Sequence, residues 1–349
     1  MKTEHIIIES EKNIAEIKRL AEILRSGGIA AIPTETVYGL AADATSETAV
    51  AKIFEAKGRP QDNPLIVHIS SLEMLEGIVK EIPEGAKKLA QKFWPGPLTI
   101  IMPRGERIPK EVSAGLDTVA VRFPSHPIAR AIIEESGLPL AAPSANLSGS
   151  PSPTTAEHCI KDLEGRVDAI AVSTDCEVGV ESTVITLCTK PPRLLRPGAV
   201  TAEELEEVLG EIVIDKAVLA EPEKGEAVAS PGMKYKHYSP KTGVILVRGS
   251  AEKYREYVNS KKSEKAIALC FEEDSEGIEI PAVTYGRAED ELSLANGIFA
   301  ALRRLDEMGA EVAYAHSPSL SGVGLAVYNR LIRAAAFREI DLENKQSVV

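Results

Sequence analysis

From Gly27 to about Gly210 short apolar runs alternate with stretches whose apolar residues recur at helical spacing, the pattern of an α/β or α+β sheet protein. The runs predict strands at Ile29 to Ile32, Leu65 to Ile69, Leu98 to Met102, Thr118 to Arg122, Ala169 to Val172 and Thr183 to Leu187. Between the first two, Ser46 is placed to cap a helix running to Ala56, in which Ala49, Val50, Ile53 and Phe54 form one apolar stripe. Another helix is expected over Ala202 to Leu209. It comes after Pro197-Gly198, carries glutamates in its first turn where the dipole favours negative charge, and closes at Gly210.

The texture changes after that. Glu221-Pro222-Glu223-Lys224-Gly225-Glu226 reads as a linker, and Pro231-Gly232 and Pro240 punctuate the next stretch of chain. Beyond it, strands are expected at Val244 to Val247 and Ala266 to Cys270, and helices at Ala251 to Ser260, Leu294 to Met308 and Leu325 to Ala336. Together they predict a small Rossmann-like domain of about a hundred residues. The expected organisation is a domain over 1–210, a linker over 211–241 and a second domain over 242–349. The linker carries Lys234, Tyr235, Lys236, His237 and Tyr238, more cationic and aromatic than a spacer needs, so it is expected to serve as a lid, an extended strap packed on the domain surface being the plain alternative.

Composition narrows the function classes. Of the residues, 44% are hydrophobic and 26% charged, ordinary for a globular protein. The formal charge of -12 disfavours a protein that coats nucleic acid or an anionic membrane. Cys159, Cys176, Cys188 and Cys270 never fall into C-x-x-C, so neither a zinc knuckle nor a redox pair is indicated and a reducing cytoplasm is expected. No signal peptide or membrane span is expected either. The phosphate loop G-x-x-x-x-G-K-[ST] and the elbow G-x-S-x-G are absent, so any nucleotide chemistry must use another cradle.

Candidate chemistry sits in short polar segments, each with a plain structural alternative. Pro33-Thr34-Glu35-Thr36-Val37-Tyr38-Gly39-Leu40, polar and rich in hydroxyls, directly succeeds the first strand, where ligands bind in sheet proteins, although a simple strand end with a turn at Gly39 would look the same. Lys57-Gly58-Arg59-Pro60 ends the Ser46 helix and would also serve merely to complement its negative end. Asn63 and His68 flank a strand, and Phe93-Trp94-Pro95-Gly96-Pro97-Leu98-Thr99 reads as an aromatic core plug beside a rigid turn. Arg122 closes an alternating strand and could equally be solvated. Ala141-Ala142-Pro143-Ser144-Ala145-Asn146 suits close approach of backbone to a ligand. Gly179-Val180-Glu181-Ser182-Thr183 adds hydroxyls, and Arg196-Pro197-Gly198 adds a rigidly placed guanidinium.

Taken in order, P-T-E-T-V-Y-G-L, K-x-R-P-x-x-N-P-L, W-P-G-P-L-T, T-V-A-V-R, A-P-S-A-N, G-V-E-S-T and R-P-G closely resemble the threonylcarbamoyl-AMP synthases, with their YrdC-type catalytic domain. The resemblance is dense from about Leu24 to Gly198. The segment from Ser230 to Tyr238, succeeded by a small α/β domain, looks like the longer, two-domain branch. It implies an α/β fold of α+β character, a twisted mixed sheet around a basic cavity, with a smaller Rossmann-like domain behind it. The activity implied is conversion of L-threonine, bicarbonate and ATP into threonylcarbamoyl-adenylate and pyrophosphate, the first step of N6-threonylcarbamoyladenosine formation in tRNA.

On that resemblance Lys57, Arg59, Ser144 and Asn146 are the catalytic set. Lys57, Arg59, Asn63, Thr118, Ser144, Ser152, Arg196 and Tyr235 are expected on ATP, and Thr34, His68, Arg122, Ala142 and Ser182 on L-threonine. No metal ligand is expected from the chain itself, Mg2+ being expected to arrive with ATP through phosphate oxygens and water. The product is expected to pass to the tRNA threonylcarbamoyl-transfer machinery, with no stable nucleic-acid binding and no membrane. Two other functions compete: an RNA-binding module without catalysis, which aromatics at only 4% disfavour, and carbamoyl transfer to another acceptor.

Overall fold

In the computed structural model the described residues are 2–221, 238–262 and 265–343. They fall into two compact units: 2–148 with 152–218, and 149–151, 219–221, 238–262 and 265–343. The segment 222–237, which carries the expected lid residues Lys234, Tyr235, Lys236 and His237, lies outside the described residues.

The first unit is built on one mixed sheet. Its strands are β1 (Glu4–Ile7), β2 (Ala30–Ile32), β3 (Gly39–Asp43), β4 (Ile66–His68), β5 (Leu98–Pro103), β6 (Thr118–Arg122), β7 (Leu140–Ala141), β8 (Ala169–Val172), β9 (Thr183–Thr186), β10 (Arg193–Arg196) and β11 (Val213–Ile214). Their spatial order is β1-β8-β2-β3-β7-β4-β6-β5-β9-β10-β11. The chain therefore stays with this sheet past Gly210, where the sequence predicts a linker: Val213 and Ile214 pair in parallel with Arg193 and Leu194.

Side-chain alternation gives the central strands two different faces. Val67, Ile100, Met102, Val119, Val121 and Ile185 point into the main core. There the helix Glu47–Lys57 lays down Ala49, Val50, Ile53 and Phe54. Ser46 caps that helix by accepting from the Ala49 amide at 3.2 Å, as the sequence predicts. The opposite face carries a small apolar cluster of Ile66, Ile101, Ala120 and Val184, and polar side chains flank it. A separate core under β1, β2 and β8 is closed by the helices Ile14–Arg25 and Pro127–Ser136, neither of which the periodicity reading predicts.

The second unit is a parallel α/β layer structure. Strands β12 (Gly243–Arg248), β13 (Ala266–Cys270), β14 (Ala282–Thr284), β15 (Val312–His316) and β16 (Glu339–Asp341) lie in the order β14-β13-β15-β12-β16, every pair parallel. Helices Ala251–Asn259, Glu291–Glu307 and Gly324–Ala334 make the crossovers that parallel pairing demands. His316 ends β15 buried, with Nδ1 2.6 Å from Asp274 and Nε2 2.9 Å from the Gly249 carbonyl, joining three strand ends.

Candidate active site

The polar face of the central sheet is assembled by register. His68 on β4 lies beside Arg122 on β6, and Arg122 lies opposite Thr99 on β5. Beyond Thr99, the Ser182 hydroxyl is 2.7 Å from Thr99 Oγ1, and Arg196 donates to Ser182 through Nε at 3.0 Å and Nη2 at 3.2 Å. Five residues from four strands and one strand entry thus form a continuous buried polar row. Ile66, Ala120 and Ile101, one alternation back along the same strands, supply an apolar floor beside it.

The loop after β2 folds onto this row. Thr34 Oγ1 is 2.9 Å from Thr36 Oγ1, and Arg122 Nη1 donates to Thr36 Oγ1 at 2.8 Å. Arg122 Nη2 stands 2.7 Å from Glu35 Oε1, and both side chains are about 95% buried. The solvated alternative for Arg122 is excluded. Burial pushes the Glu35 carboxyl up, but the Arg122 guanidinium outweighs it and holds the group below its ordinary range. Burial, reinforced by Arg122, lowers His68 to about 3, so the ring is neutral at physiological pH.

Lys57 is the last residue of its helix, and Gly58 turns the chain with φ +60°, a conformation that glycine adopts without the strain a Cβ would bring. Lys57 is buried, and its Nζ donates to the carbonyls of Ser144 and Asn146, both at 2.5 Å. It does not serve the end of its own helix. Burial and then the neighbouring Arg59 lower its pKa well below the ordinary lysine value. Arg59 donates to the Pro64 carbonyl at 3.1 Å and the Asn63 carbonyl at 3.4 Å. Ser144 donates to Asn146 Oδ1 at 2.5 Å, so the two side chains of the A-P-S-A-N loop face each other.

These groups occupy different stretches of the face. Thr118 begins β6 and Arg122 ends it, about 13 Å apart at ~3.3 Å per residue. Because β4 and β6 run parallel, the carbonyls of Asn63 and Pro64 that Arg59 holds lie just before β4, at the end where Thr118 begins β6. Ala142, through its amide to the Ile66 carbonyl at 3.0 Å, lies between the two ends. Arg196, expected with ATP, bonds Ser182, expected with threonine, so the two sets share a partner. Ser152 donates to the buried carboxylate of Glu181. Tyr235 lies outside the described residues. Trp94 is half-buried with its indole donating to the Leu98 carbonyl at 2.7 Å, the structural part expected of it.

Sequence reasoning assigns no individual role to Glu35, Thr36, Thr99 or Glu181, although each lies in a segment it singles out. Thr99 is legible afterwards: it shares a face with Ile101 in an alternating strand, yet is polar and buried. Glu35 has no such signal, because its burial depends on Arg122, 87 positions along.

Comparison with known proteins adds an independent line. Residues 22–198 match the family described as "Telomere recombination" (Sua5_yciO_yrdC), and residues 200–336 match "Threonylcarbamoyl-AMP synthase, C-terminal domain". The chain is similar to the threonylcarbamoyl-AMP synthase of Pyrococcus abyssi, 47% identical over 343 residues, covering 96% of this chain and 99% of the relative. The Bacillus subtilis enzyme of the same name is 44% identical, with 95% and 96% covered. Among solved structures, P. abyssi Sua5 complexed with L-threonine superposes with a TM-score of 0.90 at 43% identity, over 98% of this chain and all of that one.

Proposed function

The chain belongs to the threonylcarbamoyl-AMP synthase family, in its two-domain form, and from that premise we propose that the polar sheet face divides into a nucleotide end and an amino-acid end. The reaction joins L-threonine, bicarbonate and ATP into threonylcarbamoyl-AMP with release of pyrophosphate, in the pathway of tRNA threonylcarbamoyladenosine formation.

The observation that carries the division is the placement of two guanidinium groups, Arg59 near the start of β4 and Arg122 at the end of β6. The carbamate of threonine and the α-phosphate of ATP are both anionic, and bringing them together needs cations on both partners. Arg59 and Lys57 hold the phosphates, with Asn63, Thr118, Ser144, Asn146 and Ser152 around the nucleotide. Arg122 holds the threonine carboxylate, and Thr34, His68, Ala142 and Ser182 line the rest of the amino acid. Arg196 spans the two through Ser182. Each charge-assisted bond is worth about 1.5 to 3 kcal/mol and several together offset the repulsion.

No nucleophile from the protein is required. Threonine's neutral amine takes up the CO2 of bicarbonate with loss of one water, the carbamate oxygen attacks the α-phosphorus, and the bond from that phosphorus to the bridging oxygen breaks as pyrophosphate leaves. The chain aligns the partners and neutralises developing charge. Among the described residues no group of three or more His, Cys, Asp or Glu gathers to hold a cation. Mg2+ enters on the phosphates of ATP as its counter-ion. The unstable adenylate is then handed to the tRNA threonylcarbamoyl-transfer machinery in the cytoplasm. Among the described residues no helix is long and apolar enough to cross a membrane.

Calorimetric titration of Arg59→Ala and Arg122→Ala tests the division. Arg59→Ala should weaken ATP with threonine affinity kept, and Arg122→Ala the reverse. Equal losses of both ligands in both variants contradict two ends.

A further inference from the structure

A buried ion pair that serves only structure normally spends its remaining donors and acceptors on neighbours, because each one left over costs free energy. The Glu35–Arg122 pair does not. Glu35 Oε1 faces Arg122 Nη2 at 2.7 Å and accepts the Ser125 amide at 3.1 Å. Glu35 Oε2 is buried with no hydrogen-bond partner among the described residues. On the other side, Arg122 commits Nε to the Gly96 carbonyl at 3.4 Å and Nη1 to Thr36, while Nη2 is in ion-pair contact but outside hydrogen-bond geometry. Along this edge of the pair Arg122 Nη2 and Glu35 Oε2 are thus both buried without a hydrogen-bond partner among the described residues, linked through Oε1.

That edge is the complement of an α-amino acid, whose carboxylate accepts and whose ammonium, one carbon away, donates. We propose that Glu35 is the second half of a zwitterion site, with Oε2 receiving the α-ammonium of threonine while Arg122 holds the carboxylate. The inference rests on Arg122 as the carboxylate's partner and adds a specificity-determining residue to it. Charge balance agrees. The pair is neutral as a unit, the zwitterion is neutral, and the His68 ring beside them carries no charge, so the filled site buries no net charge. The Ser125 amide and Arg122 Nη2 both hold Oε1, which leaves the carboxylate little freedom to turn away.

The test uses the full chain, L-threonine, and the 2,3-dihydroxybutanoate of the same configuration, in which a hydroxyl replaces the ammonium. The wild-type protein should bind the hydroxy acid roughly tenfold or more weaker than threonine, the loss expected for one charge-assisted contact. Glu35→Gln should weaken threonine by a similar factor, leave the hydroxy acid nearly unchanged, and so collapse the preference, with ATP affinity kept as the check on folding. Equal binding of the two ligands by the wild type overturns the proposal, and that comparison needs no variant. A Glu35→Gln protein that weakens both ligands equally overturns it too, since Glu35 would then act only by holding Arg122. If instead Arg122→Ala leaves both ligands unaffected while the Glu35 pattern holds, the ammonium contact stands and the carboxylate reading of Arg122 fails.

Discussion

Lys57 Nζ reaches across 87 residues of chain to the carbonyl of Ser144 at 2.5 Å, so one ammonium ties the end of a helix to the loop opposite. The two carbonyls it holds belong to Ser144 and Asn146, the residues proposed to face the nucleotide. Lys57→Ala should therefore remove turnover and also destabilise the fold. It leaves the carbonyls short of a buried donor, at about 1 to 3 kcal/mol, or a drop in Tm of a few degrees for a unit of this size. Lys57→Ala with unchanged Tm and normal turnover would show the loop fixed by other means.

Some of this is legible in the amino-acid order. Thr118–Arg122, Ala169–Val172 and Ala266–Cys270 form strands with the bounds their apolar runs predict, and Ser46 caps its helix, because these signals are local. Gly39, where the plain reading is a turn, instead begins the strand Gly39–Asp43, which no apolar run predicts and whose pairing is supplied by β2 and by β7 a hundred residues later. Arg122 and Lys57 each pass for a surface charge at the end of an element. What buries them is a distant partner, Glu35 in one case and the A-P-S-A-N loop in the other, and local periodicity carries no record of either.

Gly198 stands where no side chain fits: a Cβ there would lie 2.4 Å from the Thr183 amide nitrogen and 2.8 Å from the Glu181 carbonyl. Gly198→Ala should push the R-P-G turn off β9, moving Arg196 away from Ser182. The expected cost of such overpacking is about 1 to 3 kcal/mol. Thermal melts together with threonine titration check it, and an unaltered melt and affinity would mean the turn can move without consequence.

Acid should weaken the fold through His68. Burial first, and Arg122 second, lower its folded value to about 3, whereas in the unfolded chain it holds its proton up to an ordinary 6.5. Between those values the unfolded chain binds more protons, so stability falls as pH falls from about 6.5 toward 3. Glu35, held below its ordinary 4.5, adds a loss of the same sign that begins only at the acid end of this window. Urea melts at pH 7, 5.5 and 4 should show the decline, and His68→Gln should flatten its upper part. A slope unchanged by that substitution would assign it to other groups.

Arg122→Ala should raise the threonine concentration needed for half-maximal rate more than any other single change at the amino-acid end. It also strands Glu35 as a buried lone carboxylate, so the variant should lose about 3 to 5 kcal/mol of stability. Arg122→Ala paired with Glu35→Gln should recover part of the Tm without recovering threonine saturation. Recovery of both would mean the pair is structural only.

The most direct test of the activity is mass spectrometry of the purified chain incubated with Mg-ATP, bicarbonate and one amino acid at a time. L-Threonine should give threonylcarbamoyl-AMP and pyrophosphate. L-Serine should give ten to two-hundredfold less of its counterpart, since the missing methyl is worth only about 1 to 3 kcal/mol in an apolar pocket. Equal product from serine and threonine, or adenylate from neither, would contradict the assignment.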